Sequence, residues 1–215
     1  MARLYALVIL VVCSVAQADE QIDALETHNF KVFLNDRPVG WHRFTVQEKD
    51  DQLHVTSRAS MDFTVLLVKS VNYRHLANET WEDGCLISFD SETIRNGKKI
   101  AVNGELINGA FRVVREDAED FLGACVKSFP YWKPEWLESE YLLNVETGKY
   151  IAVSIASTTD PTTGADHKIL GLPKTKIDLH YDGSGVWQSL ESKIKVAGTL
   201  VYKRVNDSAG EEYAD

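Results

Sequence analysis

The sequence predicts an all-β, mainly antiparallel protein whose strands form a strongly curved meander, closing into a barrel or half-barrel. Apolar and polar residues alternate with a period of two, most clearly from Leu53 to Phe63, which is typical of a half-buried strand. Dipeptides that favour tight hairpin turns occur at Asp83-Gly84, Asn96-Gly97 and Asn108-Gly109. A sheet with so many short strands curls or closes because strand twist accumulates. A two-sheet β-sandwich is the alternative arrangement.

The first half of the chain consists of predicted strands joined by short turns. Turn-forming residues cluster at Asn35–Pro38 and at Lys49–Gln52. The stretch from Val65 to Asp83 fits either one long bent strand or two strands. The predicted strands are Thr27–Leu34, Val39–Glu48, Leu53–Phe63, Val65–Ala77, Asn78–Asp83, Leu86–Phe89, Ser91–Arg95, Lys98–Asn103 and Ala110–Arg115.

The second half continues the strand pattern after one interruption. The interruption is Ser128–Asn144, which is rich in aromatic residues and contains two prolines. Within it, Pro134 suits the first turn of a helix, because proline lacks the N–H that would be unpaired there, and we expect one short helix at 134–139. The later predicted strands are Tyr150–Ser157, His167–Leu172, Thr175–Tyr181, Val186–Lys195 and Thr199–Val205.

The two ends of the chain differ from the predicted β domain. Arg3, the apolar run Leu4–Val15 and the sequence Ala16-Gln17-Ala18 fit a signal peptide over residues 1–18, cleaved after Ala18. The remainder predicts a single β domain at 19–205 and a flexible acidic tail at 206–215. No later apolar stretch approaches the roughly 20 residues of a spanning helix, so we expect a secreted protein that does not span a membrane.

Cysteine usage agrees with an oxidising compartment. Cleavage removes Cys13 and leaves Cys85 and Cys125, which predict one disulfide. Closing this loop would stabilise the fold by roughly 3–4 kcal/mol in the chain-entropy description. Two separate buried thiols are the alternative. A lipid anchor on Cys13 is less favoured, because Val12 stands where a small residue is usual.

Composition and motifs exclude several classes of function. The chain has 215 residues and a formal net charge of -9, which argues against nucleic-acid binding because phosphate neutralisation needs a surplus of Lys and Arg. The sequence has no H-E-x-x-H or C-x-x-C metal motif, no G-x-S-x-G elbow and no phosphate-binding glycine loop followed by a helix. We therefore predict no catalytic residue, metal ligand or cofactor, and a protein that is more readily a binding module than an enzyme.

Several motifs together resemble a known family of secreted bacterial proteins, domain of unknown function 6134. The resemblance covers nearly all of the mature chain. It implies a β-rich envelope protein, similar in layout to periplasmic half-barrels that carry lipids or lipoproteins, and it implies no particular reaction. The motifs are Val39–Phe44, Tyr73–His75, Glu79–Leu86, Cys125–Phe129, Trp132–Leu137 and Leu142–Gly148.

A cluster of polar and aromatic residues between positions 73 and 81 is the first part of the candidate site. If this stretch is one continuous strand, its odd-numbered members share one face and Arg74 lies on the other. Arg74 and Glu79 would form a partly buried ion pair if the strand bends; alternatively, the cluster anchors the head group of a ligand. The odd-numbered members are Tyr73, His75, Glu79 and Trp81.

The aromatic residues of Ser128–Asn144 are the second part of the candidate site. They either belong to the core or form a lid over the open mouth of the curved sheet, where Trp132 and Trp136 would contact a ligand. The leading functional hypothesis is a periplasmic β-domain that binds an apolar or amphipathic small molecule or lipid. The alternatives are an envelope protein that binds another protein through an aromatic patch, and a hydrolase or metal enzyme that uses His75 or Glu79.

Overall fold

The computed structural model describes residues 25–65 and 69–205 and shows an all-β fold. A 13-stranded antiparallel sheet and a two-stranded hairpin account for its strands. The predicted signal peptide (1–18), the predicted acidic tail (206–215) and residues 66–68 of one predicted strand lie outside the described residues. No helix among the described residues is long and apolar enough to cross a membrane.

The strands follow one another closely along the chain. In order they are β1 (Glu26–Leu34), β2 (Arg37–Lys49), β3 (Gln52–Val65), β4 (Lys69–Glu82), β5 (Cys85–Arg95), β6 (Lys98–Ile107), β7 (Ala110–Arg115), β8 (Ala118–Leu122), β9 (Tyr141–Asn144), β10 (Lys149–Ala152), β11 (Ser154–Thr159), β12 (Asp166–Gly171), β13 (Lys176–Tyr181), β14 (Trp187–Ile194) and β15 (Gly198–Val205).

The large sheet is one open, curved meander. Strands β1 to β8 pair in sequence order, and β15 pairs with the free edge of β1, so that β11 to β15 extend the same sheet on its other side. The two edge strands are β8 and β11, which do not pair with each other. The predicted curved sheet is therefore confirmed in its half-barrel form, and the sandwich alternative is wrong because all the described strands except β9 and β10 form one continuous sheet.

Tight turns with left-handed backbone explain why the chain reverses at short intervals. Asn96 and Gly97 have φ values of 52° and 79°, and Asn108 and Gly109 have 51° and 81°. Two consecutive residues with positive φ form a hairpin turn whose twist matches that of the flanking strands. Asp83 at the β4–β5 turn follows the same rule, so these predicted hairpins are confirmed.

Strand alternation puts the core on the inner face of the sheet. Paired residues such as Val46 and Val55 on β2 and β3 are both buried, while their polar neighbours along the strands are more exposed. Large inward-facing side chains from the two halves of the sheet meet in one core. The largest fully buried side chains include Phe30, Trp81, Phe89, Phe111, Leu170, Leu179 and Trp187.

Residues 123–153, here called the crossing segment, connect the two edge strands and pack against the inner face. Its side chains Leu137, Leu142 and Leu143 are fully buried. It is held to the sheet from both sides: the Ser91 hydroxyl of β5 donates to a backbone carbonyl of the segment at 2.6 Å, and the Tyr181 hydroxyl of β13 donates to another at 2.9 Å. The sheet therefore folds around this part of its own chain.

The helix and disulfide predicted for this region are present. The helix is a short 3₁₀ turn, Pro134–Leu137, two residues shorter than expected. Cys85 and Cys125 form a disulfide with their Cα atoms 5.0 Å apart. Because Cys85 begins β5 and Cys125 lies near the start of the crossing segment, the bond ties that segment to the sheet.

Several segments differ from the predicted strand pattern. β8 and β9 were not expected as strands; β8 is an almost fully exposed edge strand, so no apolar alternation marks it. The predicted strand Tyr150–Ser157 is divided at Val153, whose N–H donates to the Glu140 carbonyl instead of continuing either ladder. β5 is a single strand where two were expected, and β4 is one strand through Ala77 and Asn78, a point that the sequence left open; alternation persists in both.

Candidate ligand-binding site

A cavity of about 360 Å³ lies between the inner face of the sheet and the crossing segment, and we call it the polar chamber. Strands β2, β3 and β4 form one wall, the crossing segment forms another, and the β12–β13 turn contributes a third. Its lining residues include His42, Phe44, Val55, Ser57, Tyr73, His75, Glu79, Ser128, Phe129, Tyr131, Trp132, Val145, Glu146, Leu172 and Ile177.

Glu79 is a buried carboxylate in the wall of the polar chamber. Its Oε2 atom accepts hydrogen bonds from the Trp81 indole N–H and from the Ser128 hydroxyl, both at 2.9 Å. The residue is only 9% exposed, and this burial raises the pKa of the Glu79 carboxyl to about 7, although the two donors oppose the shift. Glu79 can therefore change its charge near neutral pH.

Two histidines of the chamber are held neutral. His42 Nε2 lies 2.7 Å from the Ser57 hydroxyl, and its Nδ1 lies 3.2 Å from the Tyr202 hydroxyl. His75 Nδ1 lies 2.8 Å from the Thr93 hydroxyl. Desolvation by burial lowers the pKa of His42 to about 3, with a smaller contribution from the nearby His75, and lowers the pKa of His75 to about 4. Both rings therefore offer hydrogen-bonding atoms without a positive charge at neutral pH.

A second cavity, of about 450 Å³, adjoins the first and is called here the apolar chamber. Tyr73 and Glu146 line both chambers. The Tyr73 hydroxyl donates to Glu146 Oε2 at 3.2 Å, and Arg95 pairs with Glu146 Oε1 at 2.7 Å. These three side chains mark the boundary between the chambers. The rest of the apolar lining is Met61, Phe63, Val71, Ile194, Ala197, Leu200 and Tyr202, with Asn96.

Four of the seven residues predicted as a ligand site line the polar chamber: Tyr73, His75, Glu79 and Trp132. Trp81 and Trp136 lie behind its wall. Their rings stack with centroids 5.3 Å apart, and Trp132 contacts Trp81 edge-on at 6.0 Å. Trp81 contributes to the site through its indole N–H, which holds Glu79 in place.

Arg74 lies on the opposite, outer face of the sheet. Its guanidinium pairs with Asp62 on β3 at 2.9 Å, and the two side chains are 42% and 58% exposed. The interpretation of an Arg74–Glu79 ion pair is therefore wrong. β4 runs without a register shift from Arg74 to Glu79, so the pleat keeps the two side chains on opposite faces.

Sequence reasoning missed several residues of the two chambers. His42 and Ser57 of the polar chamber and Tyr202 of the apolar chamber come from three different strands, and Ser128 and Glu146 come from the crossing segment. The alternation on β2 and β3 puts His42 and Ser57 on inner faces, but only the pairing register brings Ser57 opposite Phe44 and next to His42. Register over this distance is a tertiary property that no short motif encodes.

One hydroxyl–imidazole pair of the chamber resembles part of a nucleophilic triad. The Ser57 hydroxyl and His42 have the spacing of a nucleophile and its base, but the group that orients His42 is the Tyr202 phenol rather than a carboxylate. Residues 25–65 and 69–205 contain no cluster of three or more His, Cys, Asp or Glu side chains that could hold a metal ion. What the walls offer is a set of fixed hydrogen-bonding groups beside apolar surface.

The aromatic residues expected to form a protein-binding patch are mostly directed inward. Trp132 is 6% exposed, and Tyr131 contacts Trp187 of the core with ring centroids 5.3 Å apart. Tyr141 and Tyr150 are the exposed aromatics of the crossing segment, and their rings stack on each other at 5.2 Å. The crossing segment is thus chiefly part of the core and the chamber wall.

These features define an all-β protein with an open, barrel-like sheet that encloses a segment of its own chain and two adjoining chambers. The chain belongs to the family described as Domain of unknown function (DUF6134), whose family model matches residues 30–205. The family assignment drawn from the sequence motifs is confirmed.

A solved structure shows the same type of fold. It is the crystal structure of a beta-barrel-like protein of domain of unknown function DUF1849 from Brucella abortus, with a TM-score of 0.60 and 10% sequence identity, covering 84% of this chain and 95% of that chain. At this identity the likeness shows the fold alone. Comparison with curated proteins gives no match.

Proposed function

We propose that this protein binds an amphipathic small molecule, with the polar end of the ligand in the polar chamber and the apolar end in the apolar chamber. The observation that carries the proposal is the pair of adjoining cavities, of about 360 and 450 Å³, beside the crossing segment. Ligand sites in proteins commonly have volumes of roughly 300–1,000 Å³ and combine apolar walls with a few convergent polar groups.

The lining of the two chambers supports an amphipathic rather than a uniformly polar ligand. The apolar chamber presents side chains such as Met61, Phe63 and Leu200, whose exposure to water is unfavourable unless an apolar group covers them. The polar chamber presents Glu79 and His75 at fixed positions. A molecule with one polar end and an apolar chain would satisfy both sets of groups at once.

The proposal includes a location outside the bacterial cytoplasm. The signal-peptide features of residues 1–18 support it, as does the Cys85–Cys125 disulfide, because such bonds persist in oxidising compartments. In that setting the protein would act as a soluble carrier or store of its ligand. N-terminal sequencing of the protein recovered from a bacterial periplasmic extract would test the location, with Asp19 expected as the first residue.

The binding proposal is tested with a neutral fluorescent apolar probe, N-phenyl-1-naphthylamine, added to delipidated mature protein. We expect saturable binding that Val71→Phe and Ala197→Phe each weaken at least about 10-fold, because both substitutions fill the apolar chamber, where the apolar probe is expected to lie. Thr56→Phe is the matched control, since Thr56 bonds to Asn78 on the exposed outer face.

Two results would contradict the binding proposal. One is the absence of saturable probe binding to folded wild-type protein. The other is probe binding that is equally strong in the wild type, in both chamber-filling variants and in the control. Circular dichroism of each variant establishes that the chain is folded before the titration.

A further inference from the structure

Resting on the proposed function, we infer a specific ligand class: the polar chamber selects a primary ammonium group, so that the preferred ligand is a long-chain amine whose head pairs with Glu79. Three features of the structure support this inference: the charges that line the chamber, the unused oxygen of Glu79, and the distance from Glu79 to the apolar chamber.

The charged residues of the polar chamber are both acidic. Among the described residues that line it, Glu79 and Glu146 are carboxylates, and none is a lysine or an arginine. Glu146 has a cation partner, because Arg95 reaches it from the side of the apolar chamber at 2.7 Å. Within residues 25–65 and 69–205, Glu79 receives only the neutral donors Trp81 and Ser128. The chamber therefore has one carboxylate whose charge no cation of the described residues balances.

The geometry of Glu79 leaves one of its oxygens available to a ligand. Both hydrogen bonds go to Oε2, and in the described part of the chain Oε1 accepts none. A carboxylate that is nine-tenths buried is costly without a partner of opposite charge. An ammonium group would supply both the missing charge and the missing donor, with charge-assisted hydrogen bonds of the stronger kind.

Head groups of other charge fit the chamber less well. A carboxylate or phosphate would face Glu79 and Glu146 without a free cation of the chamber wall to balance it. A neutral hydroxyl could donate to Glu79 Oε1, but it would leave the buried charge unbalanced. The predicted order of preference is therefore ammonium, then hydroxyl, then carboxylate.

The arrangement of β4 sets the length of the ligand. Glu79 and Tyr73 face the same side of this strand and are about 20 Å apart at a rise of about 3.4 Å per residue. Tyr73 marks the entrance to the apolar chamber. A short amine would satisfy Glu79 alone, whereas a long-chain amine would also reach the apolar side chains beyond Tyr73.

Binding of an amine should depend on pH through Glu79. The other titratable groups that line the chamber are His42 on β2, Tyr73 and His75 on β4, and Tyr131 and Glu146 of the crossing segment. Burial lowers the pKa values of His42 and His75 to about 3 and 4 and raises those of Tyr73 and Tyr131 above their ordinary value, so these four groups stay neutral between pH 5 and pH 9. Glu146 keeps its contact with Arg95.

The experiment is a competition series against bound N-phenyl-1-naphthylamine at pH 8, with octadecylamine, octadecan-1-ol and octadecanoate as matched competitors. We expect octadecylamine to displace the probe at a concentration at least about 10-fold lower than either of the others. Lowering the pH from 8 to 5.5 should remove most of this advantage, because Glu79 takes up a proton. Dodecylamine, whose chain is too short to pass Tyr73, should compete less well than octadecylamine.

Two substitutions localise the effect. Glu79→Gln keeps an oxygen that accepts from Trp81 and Ser128 but removes the charge, so it should abolish the preference for the amine while probe binding persists. Glu92→Gln is the matched control, because Glu92 pairs with Lys99 and both side chains are largely exposed; it should keep the wild-type preference. If Glu79→Gln does not fold, the wild-type series and its pH dependence decide the question.

The outcomes separate this inference from the proposed function. If the alcohol or the carboxylate competes as well as the amine while the probe binds and is displaced, the amine preference is wrong and the proposal of a ligand-binding chamber stands. If the probe does not bind at all, both are wrong. A preference for the amine that survives in Glu79→Gln would also overturn the assignment of Glu79.

Discussion

At the scale of single residues, Glu79 shows how alternation along a strand places an ionisable group in a core. Its neighbours Val55 and Phe89 on β3 and β5 are buried, and the pleat that directs them inward directs Glu79 inward as well. Trp81 and Ser128 compensate part of the desolvation by donating to the carboxylate. The burial of Glu79 should therefore have a measurable consequence for stability.

We predict that Glu79 makes folding less stable as the pH rises. The carboxyl has a pKa of about 7 in the folded protein and an ordinary value of 4.5, so the folded state binds the proton more tightly. Its favourable contribution is fully present below pH 4.5 and is lost as the pH rises through about 7. Integrated over this range, the loss is on the order of 3 kcal/mol.

Urea unfolding of wild type and Glu79→Gln between pH 4.5 and pH 8 measures this contribution. The amide of the variant does not titrate, so the free energy of unfolding of the variant relative to the wild type should increase with pH. Contributions from His42 and His75 are common to both proteins and cancel in the difference. Parallel pH profiles of the two proteins would show that Glu79 is not desolvated as described.

At the scale of elements, local patterns predicted most of the strands and their turns. Asn96-Gly97 and Asn108-Gly109 determine their hairpins through local backbone preference, so sequence alone suffices there. β8 was missed because it is an exposed edge strand, and β9 because it lies in the irregular crossing segment, where it pairs only with β10. β8 has no buried face and β9 has two consecutive buried leucines, so neither shows the alternation on which such predictions depend.

Gly104 on β6 illustrates how closely the strands support the core. A Cβ atom at this position would overlap the rings of Phe89 and Phe111, which stack above it with centroids 6.2 Å apart. We predict that Gly104→Ala destabilises the fold by about 1–3 kcal/mol, because the well-packed rings must shift. Gly123→Ala is the matched control: nothing lies within 4 Å of an added Cβ there, and the change should stay within about 0.5 kcal/mol.

Thermal unfolding of the two glycine variants beside the wild type tests this packing. The expected result is a clear drop in melting temperature for Gly104→Ala and almost none for Gly123→Ala. Equal melting temperatures for all three proteins would mean that the Phe89 and Phe111 rings are not packed on the β6 backbone as the structure has them.

At the scale of the whole molecule, the open sheet and the crossing segment together create the chambers. β15 returns to pair with β1, and residues 123–153 run between the edge strands across the inner face. The sequence predicted the curved sheet and four residues of the polar chamber's wall, because those residues lie on one alternating strand or in an obvious aromatic segment. It could not predict the role of Tyr202 or Glu146, whose neighbours in space are distant in sequence.

The proposed function requires empty space at the inner face of the sheet. Diffraction from a xenon-pressurised crystal of the delipidated protein measures that space most directly. Xenon binds in cavities lined by apolar side chains. The account predicts a xenon site among Met61, Phe63 and Leu200, beyond the boundary formed by Tyr73 and Glu146. An absence of xenon there, with these side chains packed against one another, would contradict it.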